Sequence, residues 1–151
     1  MKARQPWGGI PLPDMKKTPF FYVVYAIQFV GVFCVYYFVA HWSLSISTLN
    51  TFAAPLWPPT GIALAALYFG GVRLAPAIAL AAFTVNYLAG ASIFAALGIA
   101  LGNSLEAIVG LYLLRSLRFS PLFNRLGDSF ALIAIALSIP FVSAVIGPVA
   151  L

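Results

Sequence analysis

The sequence predicts an all-α, polytopic transmembrane helical bundle of about five spans with its N-terminus in the cytoplasm. Three observations predict it. Hydrophobic residues make up 63% of the chain and charged residues 7%, where soluble domains hold about half and a quarter. With a mean hydropathy of +1.03, a water-soluble fold could not hide this much apolar surface. Long apolar runs recur with the charges set between them, and a five-span map puts all eight Lys and Arg residues on one side, as the positive-inside bias requires.

Residues 1–19 hold four cations, Lys2, Arg4, Lys16 and Lys17, and four prolines, Pro6, Pro11, Pro13 and Pro19. This segment is expected to be a disordered cytoplasmic leader, and residues 20–151 the membrane-embedded domain. Phe20 to Val39 is twenty residues without a charge, enough at about 1.5 Å per residue to cover the ~30 Å hydrocarbon core. A cleaved signal peptide would carry a shorter apolar region, about 7 to 15 residues, ending in small residues. This one is rich in Phe and Tyr and is followed by His41 and Trp42, so a retained first span is expected.

A mixed stretch from Ala40 to Leu56, punctuated by Ser43, Ser45, Ser47, Thr48 and Asn50, leads into a broken second span over Leu49 to Phe69 that Gly70 and Gly71 end. Leu74 to Ala89 is a short third span with Pro76 in its first turn, where proline is tolerated. Gly90 to Ser92 makes the next turn, Ile93 to Leu114 the fourth span, Arg115 to Ser129 a polar loop, and Phe130 to Leu151 the fifth span, kinked near Pro140.

The break in the second span is the most informative feature. Pro58 and Pro59 supply no backbone N–H and bias the preceding residue away from the helix, so the chain is irregular to about Pro59. Thr60 then caps and the helix restarts at Gly61. At membrane depth an irregular backbone survives only where protein or trapped water covers it. The alternative is that Trp57 and the prolines mark the water interface, where tryptophan is common.

Glu106 is the only acidic side chain within any expected span, and an intramembrane carboxyl is costly unless paired, hydrated or protonated. Gly98, Gly102, Glu106 and Gly110 recur every fourth residue, which puts them on one helix face where glycine lets another backbone approach. Asn103 adjoins that face. In a functional reading, Glu106, Asn103 and Asn86 line a polar pocket beneath Trp57, Pro58, Pro59, Thr60 and Gly61 that binds a ligand or takes up a proton. In a structural reading, a neutral Glu106 hydrogen-bonds across the helix interface, contributing about 1 kcal/mol.

Arg73 is expected to be a topology anchor that snorkels to lipid phosphate, or else to pair with Asp128 or with a missing cytoplasmic partner. Arg115, Arg118 and Arg125 form a basic rim attracted to anionic lipid by about 1 kcal/mol per charge. It is also a place where a signal could leave the domain. The lone Cys34 has no partner in the chain for a disulfide, and a single interfacial His41 is weak ground for a pH sensor or a haem ligand. The scattered cations do not suit nucleic acid. No metal-ligand cluster, phosphate loop or nucleophile elbow is present, so neither catalysis, metal nor cofactor is expected.

WPPTGIALAALYFGG, then Arg73 with Pro76 in RLAPAIAL, then GNSLEAIVGLYLLR from Gly102 to Arg115 resembles the first of the membrane-associated sensor domains, the MASE group, over about Leu56 to Leu151. The resemblance implies an N-terminal membrane input module of a bacterial histidine kinase or cyclic-diguanylate enzyme. Implied with it are a multi-pass place in the bacterial inner membrane and a stimulus carried by a small ligand or a partner membrane protein. A homodimer is expected in a full-length context. Family members have more helices than fit here, so a chain truncated at its C-terminus is expected. A small transporter or substrate-binding membrane subunit is the alternative, since discontinuous helices beside a midplane carboxylate also suit transport.

Overall fold

The computed structural model describes residues 19–46, 57–123 and 125–138. Five α-helices follow one another: α1 over Pro19–Ile46, α2 over Pro59–Gly70, α3 over Ala75–Leu88, α4 over Ile93–Ser116 and α5 over Leu126–Ser138, with a 3-10 turn at Val72–Leu74. No strand occurs among the described residues. Nearly all of the leader, the segment 47–56 that would open the second span, and the expected kink at Pro140 lie outside the described residues.

Five helices stand where five spans are expected, but two have the length and apolarity of a full crossing: α1, with 28 residues, and α4, with 24. The other three are shorter, at 12, 14 and 13 residues. α1 continues seven residues past Val39, through His41, Ser43 and Ser45. The Ser45 hydroxyl donates to the His41 carbonyl at 2.8 Å, so a polar side chain is satisfied inside the helix by the carbonyl four residues back.

α5 begins at Leu126, four residues before the expected Phe130, because Asp128 folds the preceding loop onto the helix start. Its carboxylate accepts the backbone N–H groups of Ser120 at 3.1 Å and Arg125 at 3.2 Å. Asp128 is thereby engaged and does not pair with Arg73.

α2 ends where glycine is required. Gly71 has φ of +84°, and a Cβ on Gly70 would collide with the Leu74 side chain. In Pro76, the ring sits in the first turn of α3.

α2 and α3 each pack on both α1 and α4. The core is built from small and medium side chains, among them Ala63, Leu67, Ile78, Ala81, Ala82, Val85, Ala100, Ala107 and Leu111, and one tyrosine, Tyr36. Small residues let helix backbones approach closely, which matters where lipid gives apolar side chains no reason to leave it. Ser92 caps α4, its Oγ accepting the Ala95 N–H at 3.2 Å. A second, smaller cluster joins Leu114 of α4 to Ile135 of α5, with Leu64 and Tyr68 of α2 packed against it.

Three contacts fix which ends lie together. Tyr68, near the end of α2, donates its hydroxyl to the Phe119 carbonyl just past α4, at 3.1 Å. Arg73, between α2 and α3, donates from Nη2 to Gln28 Oε1 of α1 at 2.9 Å, and its guanidinium stands 5.1 Å from the Phe21 ring centre. One end of the bundle therefore gathers the start of α1, the end of α2, the start of α3 and the end of α4. Arg73, Arg115, Arg118 and Arg125 are all at that end.

Candidate functional site

α2 is half as long as α4 and runs parallel to its second half. At one end Tyr68 meets Phe119; at the other the Thr60 hydroxyl donates to Glu106 Oε1 at 3.0 Å. Glu106 is about 20 Å along α4 from Ile93 and about 15 Å from Ser116. The helix restart after the proline pair thus lies at the middle of a bundle-length helix, not at its end.

A helix start placed there must satisfy its leading N–H groups. Pro58 and Pro59 have none to offer. The Thr60 N–H bonds to the Trp57 carbonyl at 3.3 Å and the Gly61 N–H to the Pro58 carbonyl at 3.0 Å. The first helical residue is Pro59, with Pro58 as its cap in helical conformation and no side-chain cap. This corrects the expected restart at Gly61 and the expected role of Thr60: the threonine stands inside the first turn, past the cap position, and its hydroxyl bonds to α4.

Glu106 is 2% exposed. Besides its bond to Thr60, it lies against the start of α2. One and two turns further along α4, Gly110 is buried and Leu114 packs with Leu64 and Tyr68. The stripe Glu106, Gly110, Leu114 is therefore the face that α4 turns to α2. Gly102 is buried and Gly98 half-buried.

Tyr36 of α1, fully buried, completes the junction and was not singled out from the sequence. Its hydroxyl lies by the Trp57 indole and within electrostatic reach of Glu106, yet no atom completes a hydrogen bond with it. Asn103, one turn before Glu106, likewise has its Nδ2 buried and unbonded. The signal for Tyr36 was weak, since a tyrosine in an apolar run reads as an interfacial residue; its place ten residues before the end of α1 is what sets it at mid-bundle.

Asn86 is not joined to this group by any described contact. Its Nδ2 donates to the Ala82 carbonyl of its own helix at 2.8 Å. Trp57 and Pro58 are half-buried, Pro59 buried, and Gly61 exposed. Among the described residues, no three His, Cys, Asp or Glu side chains meet in a metal-binding group.

Arg73 is held more firmly than a free lipid anchor. Its Nε donates to the Gly70 carbonyl at 3.0 Å, and the Tyr25 hydroxyl donates to the Arg73 carbonyl at 3.1 Å. Gln28, Phe21 and Tyr25 recur at three- and four-residue spacing on α1 and form the seat for it.

The sequence profile of the MASE1 family matches residues 26–151. The chain belongs to the MASE1 family. MASE1 domains are membrane sensory domains. The match begins within α1, some thirty residues before the Leu56 start of the quoted motifs, so Tyr36 and Gln28 lie inside the MASE1 region along with the α2 start and Glu106. A curated relative, the probable diguanylate cyclase DgcE of Escherichia coli (strain K12), is 34% identical over 111 residues, covering 71% of this chain and 10% of that protein. The chain spans about a tenth of that relative's length. No solved structure matches.

Proposed function

We propose that this MASE1 chain is the signal-input part of a bacterial signalling protein, set in the inner membrane with several crossings and its N-terminus inside, and without catalysis of its own. The observation that carries the reading is the Thr60–Glu106 hydrogen bond at the start of a half-helix. Family membership and the cyclase relative supply the signalling context, and neither comparison points to transport.

The junction has the makings of two packings. A stimulus shifts an equilibrium only through its different affinity for two states, and here the states differ in which donor Glu106 accepts from. Thr60 is its partner in the structure, while Tyr36 of α1, within electrostatic reach of Glu106, and Asn103, one turn earlier on α4, hold unbonded donors. A small movement of the α2 start exchanges one buried hydrogen bond for another at little net cost. A ligand or proton that prefers one arrangement then changes how α2 sits on α1 and α4. The effector that follows in a full-length protein, a histidine kinase or a cyclic-diguanylate enzyme, reads that change.

The test is Glu106→Gln in the full-length protein. The amide keeps the size and one acceptor for Thr60 and removes the ionisable group. Altered output with membrane insertion retained supports the reading; wild-type output at every stimulus level removes Glu106 from the mechanism.

A further inference from the structure

Along α2, from Gly61 beside Thr60 to the arginine-rich end of the bundle, an apolar groove of about 380 Å³ opens against Leu64, Tyr68, Leu114, Phe119, Phe123 and Leu132. Its wall is built by the loop after α4. Arg118 and Phe123 take the left-handed conformation, φ +52° and +50°. Between them the loop sets Phe119 edge-on to both Tyr68 and Phe123, with ring centres 5.8 and 5.5 Å apart.

The same loop carries charge that forms no ion pair among the described residues. Arg118 immediately precedes Phe119, Arg125 follows Phe123 by two residues, and Arg115 follows Leu114; all three are exposed. The one acid of the loop, Asp128, is 4% exposed and occupied by the backbone N–H groups of Ser120 and Arg125. A groove for an apolar chain, with exposed arginines next in sequence to its lining residues Leu114, Phe119 and Phe123, suits one kind of molecule in both its parts. We infer that it is a binding site for an anionic phospholipid, with an acyl chain along α2 and the phosphate held by Arg118 and Arg125, and with Arg115 adding to the field.

Occupancy of this site would steady α2 against α4, so lipid composition enters the same helix pairing that the stimulus acts on. The site itself is independent of the role given to Glu106.

The chain is purified in mild detergent and its thermal midpoint and lipid adducts in native mass spectrometry are followed with added phosphatidylglycerol, phosphatidylcholine and, as a headgroup alone, glycerol 3-phosphate. Expected are retention and stabilisation by phosphatidylglycerol over phosphatidylcholine, and little effect of glycerol phosphate. Removing both rim charges, Arg118→Gln with Arg125→Gln, is expected to lower the relative affinity about thirtyfold, at about fivefold per charge. Ala65→Trp, on the exposed groove wall, fills the space with the charges intact and is expected to abolish the preference as well. No headgroup preference in the wild-type chain, a preference that survives both changes, or equal stabilisation by glycerol phosphate would overturn the site. So would finding the groove occupied by residues 139–151 when lipid is absent.

Discussion

Thr60 and Glu106, 46 residues apart in the chain, meet at 3.0 Å where α2 begins against the middle of α4. The hydroxyl that sequence logic assigns to capping its own helix is directed across the interface instead, because the helix already starts at Pro59 and the N–H groups that follow, of Gly61 and Ile62, bond to the Pro58 carbonyl. The pair marks the depth at which α2 begins and, with the Tyr68–Phe119 bond, the register of α2 on α4.

Thr60→Val keeps the shape of the side chain and removes the donor. It is expected to cost about 0.6–1 kcal/mol, the usual worth of an interhelical hydrogen bond in a membrane protein. Glu106→Ala is expected to cost about 1–3 kcal/mol, because it adds a cavity and leaves the threonine hydroxyl without its acceptor. Thermal midpoints in detergent check both, and a Glu106→Ala protein as stable as wild type would show that the contact carries no stability.

Arg73→Lys retains the positive charge and with it the orientation in the membrane, but loses the planar group that reaches Gln28 and the Gly70 carbonyl while facing the Phe21 ring. A loss of about 1–2 kcal/mol is expected, from one charge-assisted hydrogen bond and a cation–π contact. Gln28→Leu is expected to reproduce part of it. Equal midpoints for Arg73→Lys and wild type would return Arg73 to the role of a simple anchor.

Asp128→Ala frees the Ser120 and Arg125 N–H groups that its carboxylate now holds. Faster amide hydrogen exchange is expected across residues 117–125, with α4 before Leu114 unchanged. Unaltered exchange in that loop would mean that Phe119 and its ring contacts hold it without the acid.

Reporter fusions at Ser92 and Ser120 test the orientation. Ser92 lies at the end opposite the arginines and Ser120 among them, so activity of a periplasm-dependent reporter is expected at Ser92 and of a cytoplasm-dependent reporter at Ser120. Cytoplasmic activity at Ser92 would overturn the five-span map.

The helices were legible because their runs of apolar residues are bounded by strong local signals: Gly70–Gly71, the Gly90 turn, Ser92 at the α4 start and the proline pair at the α2 start. All four boundaries depend on residues close in sequence. Partners were not legible in the same way. Glu106 could be marked as a costly group, but its contact with Thr60 depends on the relative depth of two helices, which no local pattern records. Arg73 could be counted as an inside charge, while its seat on Gln28, Phe21 and Tyr25 lies about 45 residues away on α1. Asn86 was grouped with Glu106 on polarity alone, and the structure shows the cheaper solution for a buried amide, a bond to the carbonyl one turn back. The α5 start was placed late because the fold-back of Asp128 on Ser120 is a tertiary contact between residues that all look like loop.

The central claim is that the chain break before α2 lies deep in the membrane, and the depth of Trp57 tests it most directly. With Trp7 and Trp42 replaced by phenylalanine, Trp57 is the one remaining indole, and lipids brominated at different positions along the acyl chain report its distance from the bilayer centre. Strongest quenching by the deeply brominated lipids is the result expected of a half-helix that starts level with Glu106. Strongest quenching by labels close to the headgroups would place Trp57 at the water interface and contradict it.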